Sequence, residues 1–133
     1  MTQYTFNVNF TNHVKTAKLH TTCPLTLDGA YQVYDGDTIL LIFNNPDTVI
    51  QNGMMILKKE PVPKGEAPSP FSGLIGPNIP VTNKTVLAVD VLKGCWGFSI
   101  AFDAPYGVGH IGHHVLPDPE LQVGSIGSDG NGG

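Results

Sequence analysis

A chain of 133 residues with 41% apolar side chains suits one domain and can build a core without metals or disulfides. Charged residues are only 14% and the net charge is −4. The densest basic spot is Lys58-Lys59, so the basic stripe that nucleic acid or anionic lipid requires is missing, and both are excluded as partners.

The 16 glycines and 11 prolines call for many turns and few helices. Residues Tyr4 to Phe10 alternate, with Tyr4, Phe6, Val8 and Phe10 on one face; period two predicts a half-buried strand. Lys15 to His20 is a weaker strand, broken by Thr21-Thr22-Cys23-Pro24. Tyr31 to Tyr34 is a short strand, followed by an Asp35-Gly36-Asp37 turn. Thr38 to Phe43 is the strongest strand and ends at Asn44-Asn45-Pro46-Asp47. Gly53 to Lys58 reads as another strand; a helix over Met54 to Glu60 would be stopped by Pro61 and Pro63.

Pro61 to Pro80 reads as one long loop. Strands over Thr85 to Leu92 and Cys95 to Phe102 follow, joined by Lys93-Gly94. Asp103 to Pro119 reads as a second long loop, and Glu120 to Ile126 as the last strand. The fold class is all-β: a two-sheet antiparallel β-sandwich of seven or eight strands, with immunoglobulin-like Greek-key connections. Residues 1–126 form the single sandwich domain and 127–133 a flexible Gly-rich tail.

The start, Met1-Thr2-Gln3-Tyr4, has no charged and apolar leader pattern. The longest apolar run, Ile39 to Phe43, is too short to span a bilayer. The expected location is therefore the cytoplasm, away from membranes. Cys23 and Cys95 are then expected as thiols rather than a disulfide.

Three features together resemble a known group. Gly36-Asp37-Thr38-Ile39 enters a core strand that ends at Asn44-Asn45-Pro46. Gly94-Cys95-Trp96-Gly97-Phe98 opens the penultimate strand, and Asp118-Pro119-Glu120-Leu121-Gln122-Val123 closes the domain. This order is similar to the cupredoxin-like β-sandwich group, and more loosely to the bacterial AidA and PixA inclusion-body proteins. The resemblance covers roughly residues 30 to 125 and implies a Greek-key sandwich. It does not carry the copper site. Asp47-Thr48 stand where a first histidine ligand would be, Ile100-Ala101 where the cysteine would be, and no methionine follows Met55. A blue-copper centre needs a thiolate and two imidazoles, so type-1 copper is rejected and no cofactor is expected.

The candidate metal residues are His110, His113 and His114, three imidazoles within five positions, with His13 or His20 as a distant further ligand. Incidental loop histidines, or a pH-sensitive contact, explain the same cluster. Cys95 beside a loop histidine could make a nucleophile, but no strand-turn-helix elbow or oxyanion hole accompanies it, and no catalytic residue is assigned. Asp35 and Asp37 could bind calcium, though the turn accounts for both. Asn9-Phe10-Thr11 and Asn83-Lys84-Thr85 fit the glycosylation pattern, which is idle without secretion. Trp96, Tyr31, Tyr34 and Tyr106 could stack on a sugar; Trp96, in phase with Phe98, Ile100 and Phe102, belongs instead in the core.

The core is expected to contain Phe6, Phe10, Ile39, Leu41, Phe43, Trp96, Phe98, Ile100 and Phe102, with Cys95 on the outer face. The functional reading is a non-catalytic domain that works by binding or self-association. A metal-binding protein using the loop histidines, a small carbohydrate-binding domain and a weak hydrolase are the rivals, and the ligand is unidentified. A homo-oligomer is expected because Ile39 to Phe43, Met54 to Leu57 and Val86 to Val89 are apolar on both faces. Phe71, Leu74 and Ile75 of the first long loop are suited to covering that surface instead.

Overall fold

The computed structural model describes residues 1–44, 48–59, 69–72, 78–117 and 119–124. The Asn45-Pro46-Asp47 end of the expected turn, Leu74 and Ile75, and the Gly-rich tail lie outside the described residues.

The described residues form ten strands: β1 (Gln3–Asn9), β2 (Lys18–Thr21), β3 (Tyr31–Val33), β4 (Thr38–Asn44), β5 (Gln51–Lys59), β6 (Asn78–Val81), β7 (Lys84–Ala88), β8 (Gly94–Tyr106), β9 (His110–Leu116) and β10 (Glu120–Val123). They form two sheets. One runs β2-β1-β4-β7; the other runs β3-β10-β8-β5-β6, with β9 also on β8. The all-β sandwich therefore stands. Most neighbours are antiparallel, while β1 with β4 and β3 with β10 are parallel.

Alternation sets which side chains meet between the sheets. Ile39, Leu41 and Phe43 of β4 face Trp96, Phe98, Ile100 and Phe102 of β8 across a core that also takes Phe6, Phe10 and Val8. Every residue assigned to the core by its period is buried, and Trp96 is 0% exposed. Cys95 is half-buried on the opposite face of β8, as its phase requires.

Two regions read as loop are strand. Asp103 to Pro119 is not a loop: β8 continues to Tyr106, turns through Gly107 and Gly109 at positive φ, and returns as β9. Pro105, Gly107, Gly109 and Gly112 hide this hairpin from a propensity reading, and the main-chain pairing from Ile100↔Leu116 to Tyr106↔His110 overrides them. The first long loop ends early, because Asn78–Val81 is β6, an edge strand in which Pro80 lacks the N–H of a central strand. The strand read over Gly53 to Lys58 lies within β5.

β8 is long enough to pair with β9 along its second half and with β10 along its first. Pro119, just before β10, lies beside β8, since Phe98 N–H donates to its carbonyl at 2.8 Å. Segment 15–17 pairs with the free side of β9: Val115 N–H donates to Lys15 at 2.9 Å and Ala17 N–H to Val115 at 2.8 Å. The chain then crosses into the other sheet as β2.

Asp37 closes the turn that leads into β4. Its buried carboxylate accepts the Tyr34 and Thr2 N–H groups, both at 2.9 Å, and so ties the N-terminus to the turn. Gly36 has φ 92°, where a side chain would be strained.

Candidate functional site

The histidine cluster lies on β9, so its members alternate. His113 points out and is 78% exposed. His114 points in and is buried. His110 shares the parity of His114, four residues away, which is roughly 13 Å along a strand. The three imidazoles therefore do not converge, and among the described residues no group of three His, Cys, Asp or Glu side chains is placed to hold a metal ion. His20 lies on β2 in the other sheet.

Each histidine instead has its own partners. His110 stacks on Tyr106 at 5.4 Å between ring centroids, and His13 meets the same ring edge-on at 5.2 Å. His114 lies against Phe10 and Phe102 and bonds the Val14 carbonyl through Nδ1 at 2.9 Å. Its buried Nε2 has no hydrogen-bond partner among the described residues.

His113 Nδ1 lies 2.5 Å from Asp103 Oδ1 across the β8–β9 pair. Asn52 donates to the other carboxylate oxygen at 3.0 Å from a bulge in β5, where its φ is 54°. Hydrogen bonds from Asn52 and then His113 hold the Asp103 carboxyl below the usual carboxylate range. The carboxylate fixes the imidazole with Nδ1–H toward Asp103 and leaves Nε2 facing solvent. No local pattern signals this pairing, because Asn52, Asp103 and His113 come from three strands.

The other candidate residues have structural roles. Asp37 is a turn cap, as described. Asn83 donates to the Thr48 carbonyl at 2.9 Å and accepts the Ile50 N–H at 2.8 Å, which occupies its amide with joining β5 to β7. Asn9 accepts from Asn44, which also bonds Asn7, on the outside of the four-stranded sheet.

Cys23 and Cys95 are thiols, not a disulfide. Burial, and then the nearby Asp37 charge, push the Cys23 thiol up to about 11 from an ordinary 9.0. A pKa raised on folding means the protonated form is favoured. Its stabilisation is full below about pH 9 and is lost as pH rises through about 11. With a disulfide-exchange reagent at pH 8, Cys23 is expected to stay unreacted in the folded protein and to react fully in denaturant, as mass mapping of the labelled peptide would show. Rapid native labelling of Cys23 would contradict its burial.

Two surfaces remain. On the outside of the four-stranded sheet, the pairing aligns Thr5, Leu40 and Val86 in one row and Asn7, Ile42 and Lys84 in the next. Leu40 and Ile42 are half-buried and Val86 is 58% exposed, so the outer apolar residues of β4 and β7 form one patch. Phe71 is buried against the edge of this sheet, bridged to Val89.

The second surface is a groove of about 500 Å³ where segment 15–17 leaves β9 for β2. Ala17, Leu19, Tyr31, Leu116, Pro117 and Pro119 line it, with Lys18 and Glu120 on its walls. Tyr31 was legible only as one aromatic among several; its place in this groove depends on the parallel pairing of β3 with β10. Comparisons with family models, with curated proteins and with solved structures found no match for this chain.

Proposed function

We propose that this protein is a non-catalytic β-sandwich that works by self-association through the outer face of its four-stranded sheet. The observation that carries the reading is the joined patch of Leu40, Ile42 and Val86. In a solitary sandwich the outer face of each strand meets water and alternates to polar residues. On β1 it does so, with Thr5, Asn7 and Asn9. On β4 and β7 it carries Leu40, Ile42 and Val86, with Lys84 at one end. These apolar residues come from strands far apart in sequence, and the β4–β7 register sets them side by side.

Pairing through the β6, β7 or β3 edge is a poorer route to assembly. Pro80 interrupts the β6 edge, residues 70–72 bond along the end of β7, and residues 24–25 pair with β3. Face-to-face packing about a two-fold axis is the simplest closed arrangement for such a patch. The polar ladder of Asn7, Asn9 and Asn44 beside it supplies a rim.

Val86→Lys places a charge in the patch at an exposed position that bears no core load. It is expected to convert the assembly to monomers while leaving the unfolding midpoint of the monomer within about 0.5 kcal/mol of the parent. Equilibrium sedimentation of both proteins tests this. A variant that assembles as well as the parent removes the face from the account.

A further inference from the structure

We propose that the groove beside β2 is a docking site for an extended peptide, which adds as a strand to the free edge of β2. The site is distinct from the self-association face: β2 and β7 are the opposite edges of the four-stranded sheet.

The argument starts from which way the main chain of β2 points. Phe10 N–H donates to Asn44 on the β4 side at 3.5 Å, so the even-numbered residues of β1 turn their N–H and C=O groups toward β4. The odd-numbered residues, Asn7 and Asn9, therefore bond β2, through their partners His20 and Lys18. That leaves Leu19 and Thr21 directed away from β1. Segment 15–17 gives the same phase independently, because Ala17 N–H points away from β1 to Val115.

The parallel pairing of segment 15–17 with β9 stops for a chemical reason. Its next bond would run from residue 117 to the Ala17 carbonyl, and Pro117 has no N–H. Past this point the Ala17 carbonyl and the N–H and C=O groups of Leu19 face the groove, and no described residue pairs with that side of β2. Among the described residues, the β6 edge is interrupted and the β3, β7 and β9 edges are bridged in part. β2 keeps an open row, and the groove runs along it.

A row of main-chain donors and acceptors is matched by another extended backbone. The walls then select side chains. Tyr31, Leu19, Leu116 and the two prolines offer apolar contact, and the volume is in the range of sites that hold a small ligand or a short segment. Lys18 and Glu120 stand on the walls, and neither has an ion-pair partner among the described residues. The matching peptide is therefore extended and apolar in the middle, with an acidic residue toward Lys18 and a basic one toward Glu120.

The test has two parts. Amide hydrogen exchange of the full chain comes first. Leu19 and Thr21 are expected to exchange at least about tenfold faster than Lys18 and His20, whose N–H groups bond β1. Protection of Leu19 in the free protein would show an occupied edge and end the proposal. A displayed library of short random peptides is then selected on the protein, and the best binder is synthesised with N-methyl groups on alternate residues. Methylation in one phase is expected to weaken binding at least about tenfold, and in the other phase to leave it within about twofold, since only one edge of an added strand bonds β2. Equal effects of the two phases, or no peptide binding tighter than millimolar, would overturn the assignment. The Val86→Lys monomer should bind the same peptide unchanged, so failure here and failure of the self-association reading are separable.

Discussion

Replacing Phe102 with alanine is expected to cost about 3–5 kcal/mol of folding stability. The ring is held from several elements at once. Phe10 and Phe43 meet it edge-on, each at 4.8 Å between centroids, and His114 stacks on it at 5.2 Å. Those neighbours follow β1, belong to β4 and belong to β9, so they are anchored in both sheets and cannot collapse together into the vacated space. The residual cavity adds to the lost transfer energy. Total stabilities of small domains are about 5–15 kcal/mol, so the variant should lie near its unfolding transition at ambient temperature. Phe102→Leu keeps most of the volume and should cost less than about 2 kcal/mol. Urea unfolding of the parent and both variants measures the two differences. A Phe102→Ala cost under about 1 kcal/mol would mean the ring is not at the junction of the sheets.

Asp37→Ala is expected to cost about 2–4 kcal/mol, more than any loss of surface charge would. Two main-chain N–H groups, those of Tyr34 and Thr2, end on this buried carboxylate. Without it, both lose their acceptor, and the N-terminus loses its tie to the turn. Asp37→Asn keeps an acceptor oxygen for one of the two donors and should lie about midway between parent and alanine variant. The ordering can be read from thermal unfolding. An alanine variant as stable as the parent would show that the turn is held by its backbone alone.

What the sequence made legible follows from periodicity. Tyr4 to Phe10 and Cys95 to Phe102 alternate, and their inward residues form the core together with Ile39, Leu41 and Phe43 of the apolar run in β4. Cys95 is half-buried on the other face for the same reason. The β9 hairpin was hidden because glycine and proline interrupt its pattern, and a pairing between distant residues outweighs local preference there. That error also misplaced the chemistry: on a loop three neighbouring histidines can turn inward together, whereas on a strand they must alternate. The Asn52–Asp103–His113 contact and the open edge of β2 depend on register between strands, which no single segment encodes. The apolar patch was half legible. Each apolar run was visible, but only the topology places Leu40 beside Val86 and sends Ile56 to the other sheet.

The most direct test of self-association through that patch is the solution mass of the full chain by light scattering during serial dilution from high to low micromolar concentration. The account predicts a mass of at least two chains at the upper end, with Leu40→Lys and Val86→Lys proteins monomeric throughout and still folded. A parent protein that keeps the mass of one chain at every concentration would contradict it.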